Sequence, residues 1–140
     1  METINHECYV SLEVAKLLEK VGFDWGCRAA WDLTFPNEPY LNHVAVYPAD
    51  FNNDVDDILY APTLDVAQRW LREVRHRSVE VKSFVNGTVE NRGKWWIWYK
   101  YDFNPPIDWV LLMSSDCRYS TYEEAQEAGI KKALEMILKK

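Results

Sequence analysis

The chain has 140 residues, 48% of them hydrophobic, enough to close one core without help from a disulfide or a metal. A formal net charge of −6 argues against general affinity for nucleic acid or anionic lipid. No run approaches the roughly 18–20 apolar residues of a membrane span.

The first seven residues carry neither the basic start nor the apolar stretch of a secretory signal. Cys8, Cys27 and Cys117 are odd in number and lack a Cys-x-x-Cys pair, so reduced thiols in a cytoplasmic protein are expected. The first helix is expected from Ser11 to Val21. Val14, Leu17, Leu18 and Val21 recur on one face, and Gly22 stands where a left-handed C-cap residue belongs. Between Trp25 and Tyr60 the pattern is weaker. Cys27–Leu33 and Val44–Tyr47 read as strands, broken up by Pro36, Pro39 and Pro48.

After Pro62, Thr63 serves as N-cap for a second helix reaching about Arg75. Its inward stripe is Ala67, Trp70, Leu71 and Val74, and Gln68, Arg69, Arg72 and Glu73 face water. Residues 78–85 and 94–103 then alternate as strands, and Asn86-Gly87 and Asn91-Arg92-Gly93 supply turn chemistry for a β-hairpin. Trp109–Met113 is a further short strand. Thr121 opens the third helix, with Glu124 completing a capping box. Along that helix Ala125, Gly129 and Ala133 make a small-residue strip suited to close approach to a sheet or to a subunit. The expected architecture is a single α+β domain over residues 1–140, three helices packed with a small antiparallel sheet centred on a Trp-rich hairpin.

Alternation places Trp95, Ile97, Tyr99, Tyr101 and Phe103 on one face of the second hairpin strand, which reads as the core side. Trp96, Trp98, Lys100 and Asp102 fall on the other. Two tryptophans beside a polar edge make Trp96, Trp98 and Lys100 the candidate partner-binding residues, since exposed Trp gives a large contact area with few rotors. The alternative is that a helix or loop covers these rings. Arg69, Arg72, Arg75, His76 and Arg77 form a local basic patch. Arg69, Arg72 and His76 can share a helical side, so Arg69, Arg72, His76 and Arg77 are candidates for contacting nucleic acid. The same charges also suit the negative end of a helix dipole.

Other chemistries fail on spacing. Asp50, Asn52, Asp54 and Asp56 match the first four ligand positions of an EF-hand loop, but Val55 stands where glycine is needed and Ala61 where a bidentate glutamate is needed. His6, Cys8, Cys27, His43, His76 and Cys117 show no paired zinc-ligand spacing. No nucleophile elbow, phosphate-cradling loop or His-Glu-x-x-His is present. No metal, cofactor or catalytic residue is therefore assigned.

The three helix starts, taken together, carry a resemblance. The phrase Tyr9-Val10-Ser11-Leu12-Glu13-Val14-Ala15-Lys16-Leu17-Leu18 is followed by Gly22-Phe23. Tyr60-Ala61-Pro62-Thr63-Leu64 then leads to Ala67 and Trp70-Leu71-Arg72-Glu73, and Thr121-Tyr122-Glu123-Glu124-Ala125 closes the set. The set resembles small proteins of unknown function encoded by prophages and mobile elements of gut anaerobic bacteria. That resemblance implies an accessory role in a phage or mobile element and carries over no catalytic residue. The resulting expectation is a non-enzymatic module that binds a protein partner, as a homodimer in one version. The alternative is a nucleic-acid-associated protein using the Arg69–Arg77 patch.

Overall fold

The computed structural model describes residues 8–27, 29–35, 37–42, 58–84, 95–104, 108–115 and 118–139. Among them are three helices and two three-stranded antiparallel sheets, an α+β architecture. The chain divides into two compact units, Met1–Asp65 and Val66–Lys140.

In the first unit, helix α1 spans Leu12–Lys20. The Ser11 hydroxyl accepts from the Val14 N–H at 3.2 Å, satisfying one orphan donor of the first turn. The helix stops at Gly22, whose φ of +91° belongs to the left-handed region that only glycine adopts cheaply. There the Phe23 N–H reaches back to the Leu18 carbonyl and the Gly22 N–H to Glu19, the paired bonds of a Schellman stop. Val14, Ala15, Leu18 and Val21 are buried, with Leu17 at the margin of the stripe.

The first unit's sheet runs in the order β2-β1-β3, with β1 at Ala30–Asp32, β2 at Tyr40–Asn42 and β3 at Ile58–Tyr60. Among the described residues of the span expected as one strand from Cys27 to Leu33, the strand is Ala30–Asp32. β2 and β3 have no counterpart in the sequence reading, because three-residue strands are too short to display a period. The expected strand at Val44–Tyr47 and the acidic segment 50–57 lie outside the described residues. The segment before α1 is tied down by Val10 N–H to the Pro62 carbonyl, Leu64 N–H to Cys8, and the Trp31 indole to the Val10 carbonyl.

Helix α2, Leu64–Val74, begins at the end of the first unit and lies mostly in the second. Ala67, Trp70 and Leu71 are buried as expected, but two positions differ. Val74, at the last turn, is 44% exposed. Gln68 turns inward: its amide donates to the Val79 carbonyl, and its own carbonyl accepts from the buried Gln126 at 2.8 Å. A long polar side chain is admitted to the interior when both ends find partners.

The second unit's sheet has the order β4-β5-β6, with β4 at Arg77–Phe84, β5 at Trp95–Asn104 and β6 at Asp108–Ser114. β4 and β5 pair in antiparallel register from Arg77↔Asp102 to Phe84↔Trp95, so the hairpin pairing is as expected. β6 pairs with β5 across a bulge that leaves Leu112 as the extra residue between Leu111 and Met113. Helix α3, Tyr122–Leu138, packs on β4 and β5. The Thr121 hydroxyl accepts from the Glu124 N–H at 3.1 Å, confirming the cap.

α3 covers the face of β5 opposite to the one expected. Trp98 is 6% exposed and Lys100 1%, while Ile97, Tyr99 and Tyr101 are half-buried and Phe103 is exposed. The side chain of Trp95, expected in the core, lies outside the description. The small-residue strip explains the reversal. Gly129 sits so close to the sheet that an added Cβ would lie 2.6 Å from Val79 Cγ1 and 3.0 Å from Trp98 Cβ. A helix presenting glycine and alanine needs large side chains opposite to fill the layer, and Trp98 supplies that volume.

Candidate functional site

Lys100 and Trp98 therefore lie in the interior of the second unit and present no surface to a partner. The Lys100 ammonium is held by Asp102 Oδ1 at 2.6 Å, and Arg77 Nε approaches the same oxygen at 3.4 Å. A buried ammonium is tolerable only with such an anion beside it. The Trp98 indole N–H has no hydrogen-bond partner among the described residues. Trp96 is half-buried and meets Tyr122 edge-on, with ring centroids 5.4 Å apart.

The basic patch is likewise partly committed within the fold. Arg69 pairs with Glu73 one turn on at 2.9 Å, and Arg77 with Asp102. Arg72 is exposed. His76 does not continue the helical side of Arg69 and Arg72, because α2 ends at Val74 and His76 adopts a φ of +56°. This left-handed residue, uncommon outside glycine, turns the chain directly from α2 into β4.

The surface the sequence did not single out is the outer face of the second sheet, away from α3. Cross-strand register places Tyr101 beside Leu111 and Phe103 beside Trp109. Phe103 and Trp109 meet edge-on at 5.4 Å, and His76 adds its ring 6.2 Å from Phe103. Phe103, Trp109, Leu111 and Leu112 are 40%, 37%, 51% and 48% exposed, an apolar strip spanning β5 and β6. Towards β4 the face turns polar: Glu80 stands opposite Tyr99, and the Lys82 ammonium lies 5.3 Å from the Tyr99 ring. The strip was legible in part. Residues 109–115 hold no charged side chain, unusual for a strand that ends at a sheet edge.

Titratable groups with displaced pKa values have local explanations. Burial pushes the Cys27 thiol up to about 12. Hydrogen bonds from the Thr34 hydroxyl and N–H and from the Tyr40 hydroxyl hold Asp32 below the usual carboxylate range, and Tyr40 is raised in return. The Ser120 and Thr121 hydroxyls hold Glu124 down at the start of α3. Among the described residues no group of three or more His, Cys, Asp or Glu side chains is placed to hold a metal ion. The acidic segment, His6, His43 and Cys117 lie outside them. No described helix is long and apolar enough to cross a membrane.

No family model matches the chain, and neither curated proteins nor solved structures provide a similar one.

Proposed function

We propose that this chain is a non-enzymatic protein-interaction module with an accessory role in a phage or mobile element. The observation that carries the reading is the apolar strip Phe103–Trp109–Leu111–Leu112 on the outer face of the second sheet. Four large apolar side chains held open together on rigid strands suit a protein surface, because burying them releases water at little cost in side-chain entropy. The contact surface is thus moved from Trp96, Trp98 and Lys100 to the opposite face of the same strand. The resemblance carried by the three helix starts supports the phage or mobile-element setting. Three widely spaced cysteines without a Cys-x-x-Cys pair suit a reducing cytoplasm.

The nucleic-acid alternative draws on Arg72 and His76, both exposed, the latter with its ring beside Phe103. It is weakened by the carboxylate partners of Arg69 and Arg77. Ionic strength separates the two readings. Association through apolar contacts persists in high salt, whereas each phosphate contact makes affinity fall steeply. Tagged protein should retain its protein partner in a high-salt wash, and the double variant Phe103→Ser/Leu112→Ser should release it while staying folded by circular dichroism. Equal retention by the double variant refutes the assignment of this surface.

A further inference from the structure

The outer strip ends at β6, and among the described residues no further strand pairs with that edge. The Phe103 N–H bonds to the His76 carbonyl at 3.1 Å, so Phe103 turns its backbone polar groups towards β4. Trp109 stands opposite Phe103, and in an antiparallel ladder the facing member of such a pair turns its own N–H and C=O away from the shared strand. Leu111, opposite Tyr101, does the same two residues on. β6 thus presents outward backbone donors and acceptors at Trp109 and Leu111, beside exposed apolar side chains.

The two edges of this sheet are treated differently. On β4, the Gln68 amide occupies the Val79 carbonyl, and exposed Glu80 and Lys82 charge the strand, the usual protection against strand addition. After its first residue, Asp108, β6 has no charge, no proline and no covering side-chain hydrogen bond among the described residues. Its one irregularity, the bulge at Leu112, lies beyond the outward pair Trp109 and Leu111.

Resting on the interaction reading above, we infer that the partner at this edge is a second copy of the chain, its β6 pairing antiparallel with β6 of the first to make one six-stranded sheet. A two-fold axis at Val110 sets each Trp109 opposite the other copy's Leu111, so both outward backbone sets are satisfied by the same pairing. That register apposes the exposed ring of one copy with the exposed leucine of the other on one face, flanked by Tyr101 and Phe103 from both. Charge selects the same contact. In a chain of net charge −6, an uncharged edge is where two copies meet without placing like charges together. Asp108 falls opposite Leu112 of the second copy, not opposite its own counterpart.

Analytical ultracentrifugation of the full chain across a concentration series tests this. The wild type should pass from monomer to dimer. Leu111→Pro removes an N–H that faces away from β5 and so spares the β5–β6 ladder, and Leu111→Lys adds a charge to the edge. Each should weaken dimerisation by at least about tenfold, while Leu111→Thr, which keeps the donor, should still dimerise. Hydrogen exchange on the wild type needs no variant. The Trp109 and Leu111 amides should be protected in the dimer and exchange rapidly on dilution. A dimer indifferent to Leu111→Pro and Leu111→Lys, or Trp109 and Leu111 amides that exchange rapidly at every concentration, overturns the proposal. A monomeric wild type whose Trp109 and Leu111 amides are protected only by an added apolar extended peptide overturns it too, but leaves the interaction reading intact.

Discussion

Replacing Gly129 with alanine sets two effects of known size against each other. In an exposed helix the change is favourable by about 0.8–1.0 kcal/mol, because alanine gives up less backbone freedom than glycine. At this position the new methyl would lie 2.6 Å from Val79 Cγ1 and 3.0 Å from both Cβ and Cγ of Trp98, so atoms must move. Neither neighbour yields easily. Val79 is fully buried and β-branched, with little rotamer freedom, and the Trp98 atoms concerned lie next to its backbone. Overpacking a filled core costs about 1–3 kcal/mol, and the rigidity of both neighbours places this site in the upper half of that range. The expected net loss is about 1–2 kcal/mol, or several degrees in melting temperature for a unit of this size. Urea unfolding followed by tryptophan fluorescence measures it, with Ala128→Gly on a less crowded side of α3 as the propensity control. A neutral or stabilising Gly129→Ala would refute the close approach of α3 to β4 and β5, and with it the account of why Trp98 faces inward.

Asp102→Ala leaves the Lys100 ammonium buried without its anion and should cost about 3 kcal/mol, whereas Lys100→Met should lie within about 1 kcal/mol of the wild type; equal losses in denaturant melts would contradict the pairing. Thr121→Ala should cost about 0.5–2 kcal/mol by removing the acceptor for the Glu124 N–H, read from the same melts. Glu124 is held below its ordinary pKa in the fold, so its contribution is present above the unfolded value and lost as pH falls through the lowered folded one. Glu124→Gln should therefore flatten the acid side of the stability curve, and an unchanged acid limb would argue against the hydroxyl contacts. Iodoacetamide at neutral pH should alkylate exposed Cys8 and spare Cys27, whose burial keeps it protonated; equal labelling by peptide mass spectrometry would mean that the first unit opens readily.

What the amino-acid order determined by itself is local. Ser11, Gly22 and Thr121 mark helix ends because a cap hydroxyl or a positive φ acts within one turn of the chain. The alternation in residues 78–85 and 94–103 determined that β4 and β5 pair and which residues share a face, because successive side chains of a strand point opposite ways. It did not determine which face lies inside, since both faces of β5 are rich in rings. That choice belongs to α3, whose glycine and alanines, far along the chain, demand a large neighbour and receive Trp98. Tertiary contacts also decided the polar interior. Gln68 is admitted because Val79 and Gln126 converge on it across the unit, and Lys100, whose partner Asp102 lies only two residues on, is inside because α3 covers that face of β5. The open edge of β6 was equally beyond a local reading. A strand's outward hydrogen bonds depend on which neighbours are already paired, and that is settled only when the sheet is assembled.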